Sequence, residues 1–204
     1  MNTGKIIILE GNIAAGKSTL AKSLGAILNA RVFFEPTVTN PYLEKFYENP
    51  TKYALKMQLY LLRQRYNTYL SALKHTISTG QHVILDRSIY SDLVFAITNV
   101  QQGNIDDKGY ALYQKVRQEY LRNIPIPDVT LFLNTCPRTC FKRVAMRART
   151  CETTIPLDYL TDLHNNYIDF VQMMGEAGST VCEIPWDNFG DSRVVCDLLK
   201  SYFQ

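Results

Sequence analysis

Gly11-Asn12-Ile13-Ala14-Ala15-Gly16-Lys17-Ser18, continued by Thr19, matches the pattern G-x-x-x-x-G-K-[ST] without a mismatch. The segment Lys5 to Glu10 before it, apolar from Ile6 to Leu9, reads as a strand, and Lys17 to Asn29 after it has helical spacing. Between a strand and a helix, such a loop turns successive backbone N–H groups and the helix N-terminus toward an anion, and its small residues let the backbone wrap closely. Lys17 is placed to neutralise the outer phosphates of a nucleotide, and the Ser18 hydroxyl to hold Mg²⁺.

Outward from this loop, four more segments rich in β-branched and aromatic residues read as strands: Arg31 to Glu35, Gln81 to Asp86, Asp128 to Leu133 and Thr180 to Ile184. Each is nearly continuous in apolar residues, which suits strands covered on both faces. Helical spacing runs through Asn49 to Thr79, Ser88 to Gln102, Asp106 to Arg122, Pro137 to Arg149, Pro156 to Met174 and Asp191 to Phe203. The alternation predicts an α/β fold of three layers, a five-stranded parallel sheet flanked by helices, within a single domain of 204 residues. Ligands of such sheets bind beyond the carboxyl ends of the strands.

Composition narrows the function. With 46% apolar residues the chain buries a full core, and a net charge of +3 is too small to predict a nucleic-acid or membrane surface. No apolar stretch approaches a membrane span, and Ile6 to Leu9 is too short for a signal-peptide core. The five cysteines form no Cys-x-x-Cys pair, so they read as thiols of a reducing compartment, and the chain is expected in the cytoplasm.

Several candidate residues fall at strand ends. The second strand ends Phe33-Phe34-Glu35-Pro36, which puts a carboxylate at the mouth of the site; it is a candidate general base or an ordinary solvated edge. The third ends Leu85-Asp86-Arg87-Ser88, where Asp86 can reach the Mg²⁺ shell. Arg87 can pair with a substrate oxygen or with Glu35. Arg143, Arg147 and Arg149 lie along one helix and its end, as a solvated basic face or as a flap closing over transferred phosphate.

The phosphate loop, Glu35-Pro36, Tyr47-Glu48-Asn49-Pro50, Gln58, Asp86-Arg87-Ser88 with Tyr90-Ser91-Asp92, and Arg143-x-x-x-Arg147-x-Arg149-x-x-Glu152 resemble, in one order, the deoxyribonucleoside kinase family. The likeness continues through Ile155-Pro156-Leu157-Asp158-Tyr159-Leu160 and Leu163-His164. It implies a P-loop kinase fold with an Arg-rich lid at about residues 143–155, and ATP and Mg²⁺ as donor and cofactor. By the same resemblance Glu35 is the base for a sugar 5′-hydroxyl, Arg87 holds that oxygen, and Tyr47 and Glu152 bind the 3′-hydroxyl. Arg143 and Arg147 match the lid arginines, with Arg149 in the same segment, and Asp187-Asn188-Phe189 falls where family members contact adenine. A homodimer is also implied, for which the helical segment Asn49 to Thr79 offers Tyr60, Tyr66, Tyr69 and Leu70 as a contact face or as core.

For the base, the resemblance implies Met57, Gln58, Arg65, Asp92 and the stacking candidate Phe95 as readers. Arg donates to a ring nitrogen or keto oxygen and Asp accepts from an exocyclic amine, so adenine, guanine and cytosine fit and thymine would strand Asp92. A surface ion pair of Arg65 with Asp92, with no part in recognition, is the alternative. Asp86 in place of the Glu of many animal members, and Asn40 in place of an aromatic, resemble bacterial or viral branches. A nucleoside monophosphate kinase of the thymidylate kinase type shares several motifs, but there an Arg precedes Glu-Pro, where this chain has Phe34. A regulatory nucleotide switch would carry Asn-Lys-x-Asp, which is absent.

Overall fold

The computed structural model describes residues 4–35, 40–147 and 155–202. At its centre lies β1 (Ile6–Gly11), flanked by β3 (Val83–Asp86) on one side and β4 (Val129–Asn134) on the other. β2 (Arg31–Phe33) and β5 (Thr180–Pro185) form the edges, giving the order β2-β3-β1-β4-β5 with every pairing parallel. Ile7, Ile8 and Leu9 are fully buried, which accounts for a first strand that is apolar at successive positions rather than alternating. The register sets Leu9 opposite Asp86 and Leu131. The end of β3 is thereby brought level with the start of the phosphate loop.

The helices are α1 (Lys17–Ile27), α2 (Leu43–Glu48), α3 (Pro50–Thr79), α4 (Asp92–Gln101), α5 (Asp107–Leu121), α6 (Pro137–Arg147), α7 (Leu157–Glu176) and α8 (Ser192–Ser201). The chain steps one way across the sheet from β1 to β2 and the other way in all later crossings. Right-handed crossovers then put α1 on one face, where α8 packs against it, and α3, α4 and α7 on the other. Local chemistry sets the long elements. Asn49 caps α3 by accepting from the Lys52 N–H at 3.2 Å, Pro50 occupies its first position, and Gly80 ends it in the left-handed conformation at φ 70°.

The five expected strands are all present, with ends moved by one or two residues. Three readings change. α2 lies in a stretch for which no element was expected. The helix expected from Ser88 begins only at Asp92, because Arg87 to Ser91 forms a turn. Tyr69, a candidate for an oligomer face, is fully buried and donates its hydroxyl to the Pro125 carbonyl at 2.8 Å. The helix expected to reach Arg149 is described to Arg147, and no described helix is long and apolar enough to cross a membrane.

Because Ile8 is sealed from both faces of the sheet, Ile8→Ala is expected to cost about 2–5 kcal/mol, read as a lowered midpoint of denaturant unfolding. A cost below about 1 kcal/mol would mean that the central strand is not the packed core described.

Candidate active site

The phosphate loop leaves β1 at Gly11 and delivers the chain into α1, whose N-terminus has no side-chain cap and no acidic residue in its first turn. Its free N–H groups and positive dipole end therefore face the loop's concavity. Gly16 sits at φ 104°, and a Cβ there would come within 2.8 Å of the Phe189 ring. Only glycine suits both the dihedral and the space. Lys17 is folded back, its Nζ donating to the Gly11 carbonyl at 3.0 Å and the Asn12 carbonyl at 2.8 Å. Burial, and then the charge of Arg87, lower the Lys17 ammonium to about 7, and the hydrogen bonds of Nζ go to the two loop carbonyls. The Ser18 hydroxyl donates to Asp86 Oδ2, so two hard oxygen ligands suited to Mg²⁺ meet at the rim.

Next to this loop lies a cleft with a cavity volume of about 120 Å³. The loop contributes Ile13, Ala14, Lys17 and Ser18 to its lining, Asp86 comes from the end of β3, and Arg87 directly follows it. Glu35 closes it from beyond β2, Tyr47 from α2, and Met57 and Arg65 from α3. Phe95, Arg147 and Tyr159 complete the wall from α4, α6 and α7.

Glu35 lies between two guanidinium groups. Arg65 Nε donates to Glu35 Oε1 at 3.0 Å, with Arg65 Nη2 on the same oxygen, and Arg87 Nε donates to Oε2 at 3.2 Å. Burial opposes ionisation of Glu35, but the charges of Arg65 and Arg87 outweigh it and bring its pKa from 4.5 to about 2. Arg87 adopts the left-handed conformation at φ 72°, a strained geometry for a side chain of this size. Fully buried Glu10 holds the turn that imposes it, Oε1 accepting from the Ser88 N–H at 3.0 Å and the Ser88 hydroxyl at 2.7 Å. The Arg87 side chain then extends to Glu35 and to the Tyr167 hydroxyl, across the Phe95 ring.

Other expected site residues lie outside the cleft wall. Gln58 and Asp92 are fully buried behind it; Gln58 Nε2 donates to the Asp92 carboxylate at 2.7 Å and the Asp92 main-chain carbonyl at 2.9 Å. Arg143 turns to the outer side of the phosphate loop, bonding the carbonyls of Ala15, Trp186 and Asp187 and stacking 4.0 Å from the Phe189 ring centre. Expected to cover the transferred phosphate, Arg143 in this structure joins the phosphate loop to the segment after β5, whereas Arg147, expected beside it, lines the cleft. Asp187 accepts from the Cys136 N–H at 2.8 Å, Phe189 is exposed, and Thr19 is an exposed residue of the first turn of α1. Arg149 and Glu152 lie outside the described residues.

Sequence reasoning missed Glu10, Tyr113 and Tyr167. Tyr113 donates to Asp92 Oδ2 at 2.8 Å from α5, and Tyr167 takes up Arg87. Both tyrosines sit at positions whose spacing reads as core. Glu10 carried a usable signal, a carboxylate in an otherwise apolar strand immediately before Gly11.

Comparison with known proteins places these features. A deoxynucleoside kinase family model matches residues 7–199. A deoxyguanosine kinase of Dictyostelium discoideum is 52% identical over 200 residues, covering 98% of this chain and 70% of that protein. A deoxyadenosine kinase of the same organism is 34% identical over 201 residues, covering 98% and 80%. Among solved structures, a deoxyadenosine kinase from M. mycoides with bound dCTP superposes with a TM-score of 0.82 at 26% identity, covering 96% of this chain and 97% of that one.

Two outcomes follow from the geometry. Removing the Glu10 carboxyl with Glu10→Ala leaves buried Ser88 donors unpaired, so stability falls by about 1–3 kcal/mol and turnover falls with it. Glu10→Gln keeps a carbonyl acceptor and retains more of both; equal losses in the two variants would deny Glu10 this role. Glu35 has a folded pKa below its unfolded value, so its stabilisation is complete above about 4.5 and is lost as pH falls from there toward about 2. Thermal midpoints measured from pH 6 to pH 3 are expected to fall more steeply in the wild type than in Glu35→Gln, and parallel curves would contradict the paired carboxylate.

Proposed function

The chain belongs to the deoxynucleoside kinase family, and we propose that it moves the γ-phosphoryl group of ATP onto the 5′-hydroxyl of a deoxynucleoside whose base carries an exocyclic amine. The observation that carries this reading is a single cleft with a phosphate loop at one end and Glu35, gripped by Arg87, at the other. Such a cleft can align a donor phosphate with an acceptor hydroxyl, and positioning is most of what phosphoryl transfer asks of a protein. A thymidylate kinase reading is not favoured, since the residue before Glu35-Pro36 is Phe34 rather than a cation for an acceptor phosphate.

In this proposal Glu35 takes the proton of the 5′-hydroxyl while Arg87 holds the oxygen. The new bond forms from that oxygen to the γ-phosphorus as the bond to the β–γ bridging oxygen breaks, and ADP leaves. Lys17 leaves the loop carbonyls to meet the outer phosphates, joined by Arg147 and Arg149 from the lid. Bound with ATP, Mg²⁺ would screen charge between the phosphates, and Ser18 and Asp86 would hold it with water and phosphate oxygens completing its shell. Tyr47 and Glu152 position the sugar, and Met57, Gln58, Arg65, Asp92 and Phe95 receive the base. Arg143 braces Phe189, which with Asp187 would meet the adenine of ATP.

The names of the two Dictyostelium relatives support purine deoxynucleosides as substrates. We further read the 204 residues as one catalytic domain that works as a cytoplasmic homodimer in deoxynucleoside salvage. The family resemblance supports the dimer, and the free thiols Cys136, Cys140, Cys182 and Cys196 suit a reducing compartment.

Assayed side by side, deoxynucleosides are expected to be phosphorylated and their monophosphates not; turnover of the monophosphates alone would refute the assignment. In Glu35→Gln, kcat is expected to fall by about 10²–10⁴ while ATP still binds. Binding is followed by the emission of Trp186, the chain's one tryptophan, which packs beside Gly16. Unchanged kcat would remove Glu35 from the role of base.

A further inference from the structure

Arg65 belongs to two sites at once. From the middle of α3, 5% exposed, it reaches Glu35 through Nε and Nη2 and Asp92 through Nη1. One cation thus joins the carboxylate proposed as catalytic base to the carboxylate proposed to read the nucleobase. Asp92 spends its other oxygen on Gln58 and Tyr113. Both N–H groups of Gln58 are taken by Asp92, which fixes the orientation of the amide, since a flipped amide would set oxygen against oxygen. Gln58 Oε1 is left buried with no partner in this structure. An unpartnered buried acceptor is costly and answers to a donor such as an exocyclic amine.

Arg65 lines the cleft, whereas Gln58 and Asp92 lie behind it. An amine approaching them from the cleft meets the Arg65 guanidinium, and moving that group strains its bonds to Glu35 as well as its bond to Asp92. We propose that Arg65 is a positioning residue that couples base recognition to catalysis: a nucleobase bearing an exocyclic amine displaces its guanidinium from Glu35 and so releases Glu35 to accept the 5′-hydroxyl proton. Base identity is then read in kcat and not only in KM, as in other sites that assemble around the correct substrate. The electrostatics agree in direction. While Arg65 from α3, Arg87 from the turn after β3 and Lys17 from α1 all face Glu35, its carboxylate is a poor proton acceptor, and the loss of Arg65 leaves it a stronger one.

The inference rests on the kinase reading above, and one experiment separates the two. Turnover is measured with 2′-deoxyadenosine and with 2′-deoxyribosylpurine, which lacks only the amine, and with deoxyguanosine against deoxyinosine. In the wild type, loss of the amine is expected to lower kcat about tenfold or more in at least one pair. In Arg65→Lys, whose single ammonium cannot span both carboxylates, that kcat ratio is expected to shrink to within about threefold. A purely structural role for Arg65 would lower the thermal midpoint of the variant and leave the ratio unchanged. Wild-type discrimination confined to KM in both pairs overturns the proposal, whatever the variant does, and so does a kcat ratio that survives in Arg65→Lys. Phosphorylation of none of the four nucleosides would overturn the kinase reading, and this inference with it.

Discussion

A carboxylate buried between two guanidinium groups is the constraint around which the cleft is organised. Taking Glu35, Arg65 and Arg87 out of water carries a large desolvation cost, which is offset only while each keeps its partner in good geometry. The segment just beyond β2, the middle of α3 and the turn after β3 are therefore tied to one another by charge, although they are far apart in sequence. Asp92 extends the tie to α4, and Tyr113 and Tyr167 extend it to α5 and α7. α3, α4, α5 and α7 each contribute an atom to the cluster or a ring beside it.

The strain at Arg87 is part of the same arrangement. A left-handed residue directly after a buried strand redirects the chain, and Glu10, in the neighbouring strand, makes that turn the favoured one by satisfying Ser88. β1 thus serves both sides of the cleft, leading into the phosphate loop through Gly11 and fixing the turn of Arg87 through Glu10. On the far side of the loop, Arg143, Trp186 and Phe189 close against Gly16. The loop is held from both sides, with Lys17 turned inward on its own carbonyls.

What could be read without coordinates was what depends on neighbours in the chain. The phosphate loop is a contiguous motif, the strands are runs of apolar residues, and Asn49-Pro50 and Gly80 delimit α3 by capping rules that act within a few residues. Parallel sheet topology then placed Glu35, Asp86 and Arg87 at one rim, since each follows a strand carboxyl end. α2 was not legible because its six residues span fewer than two turns, and it is held by the packing of Phe46 against Met57 and Leu61 rather than by propensity.

The sequence by itself determined the fold class, the phosphate-binding chemistry and the list of charged residues available to a substrate. Only the tertiary structure decided how those charges pair: that Arg65 is shared by Glu35 and Asp92, that Arg143 turns away from the cleft, and that Gln58 and Asp92 stand behind its wall. Pairing is a matter of distances of a few ångströms between side chains from different elements. Such distances follow from how helices seat on the sheet, and no spacing along the chain encodes them.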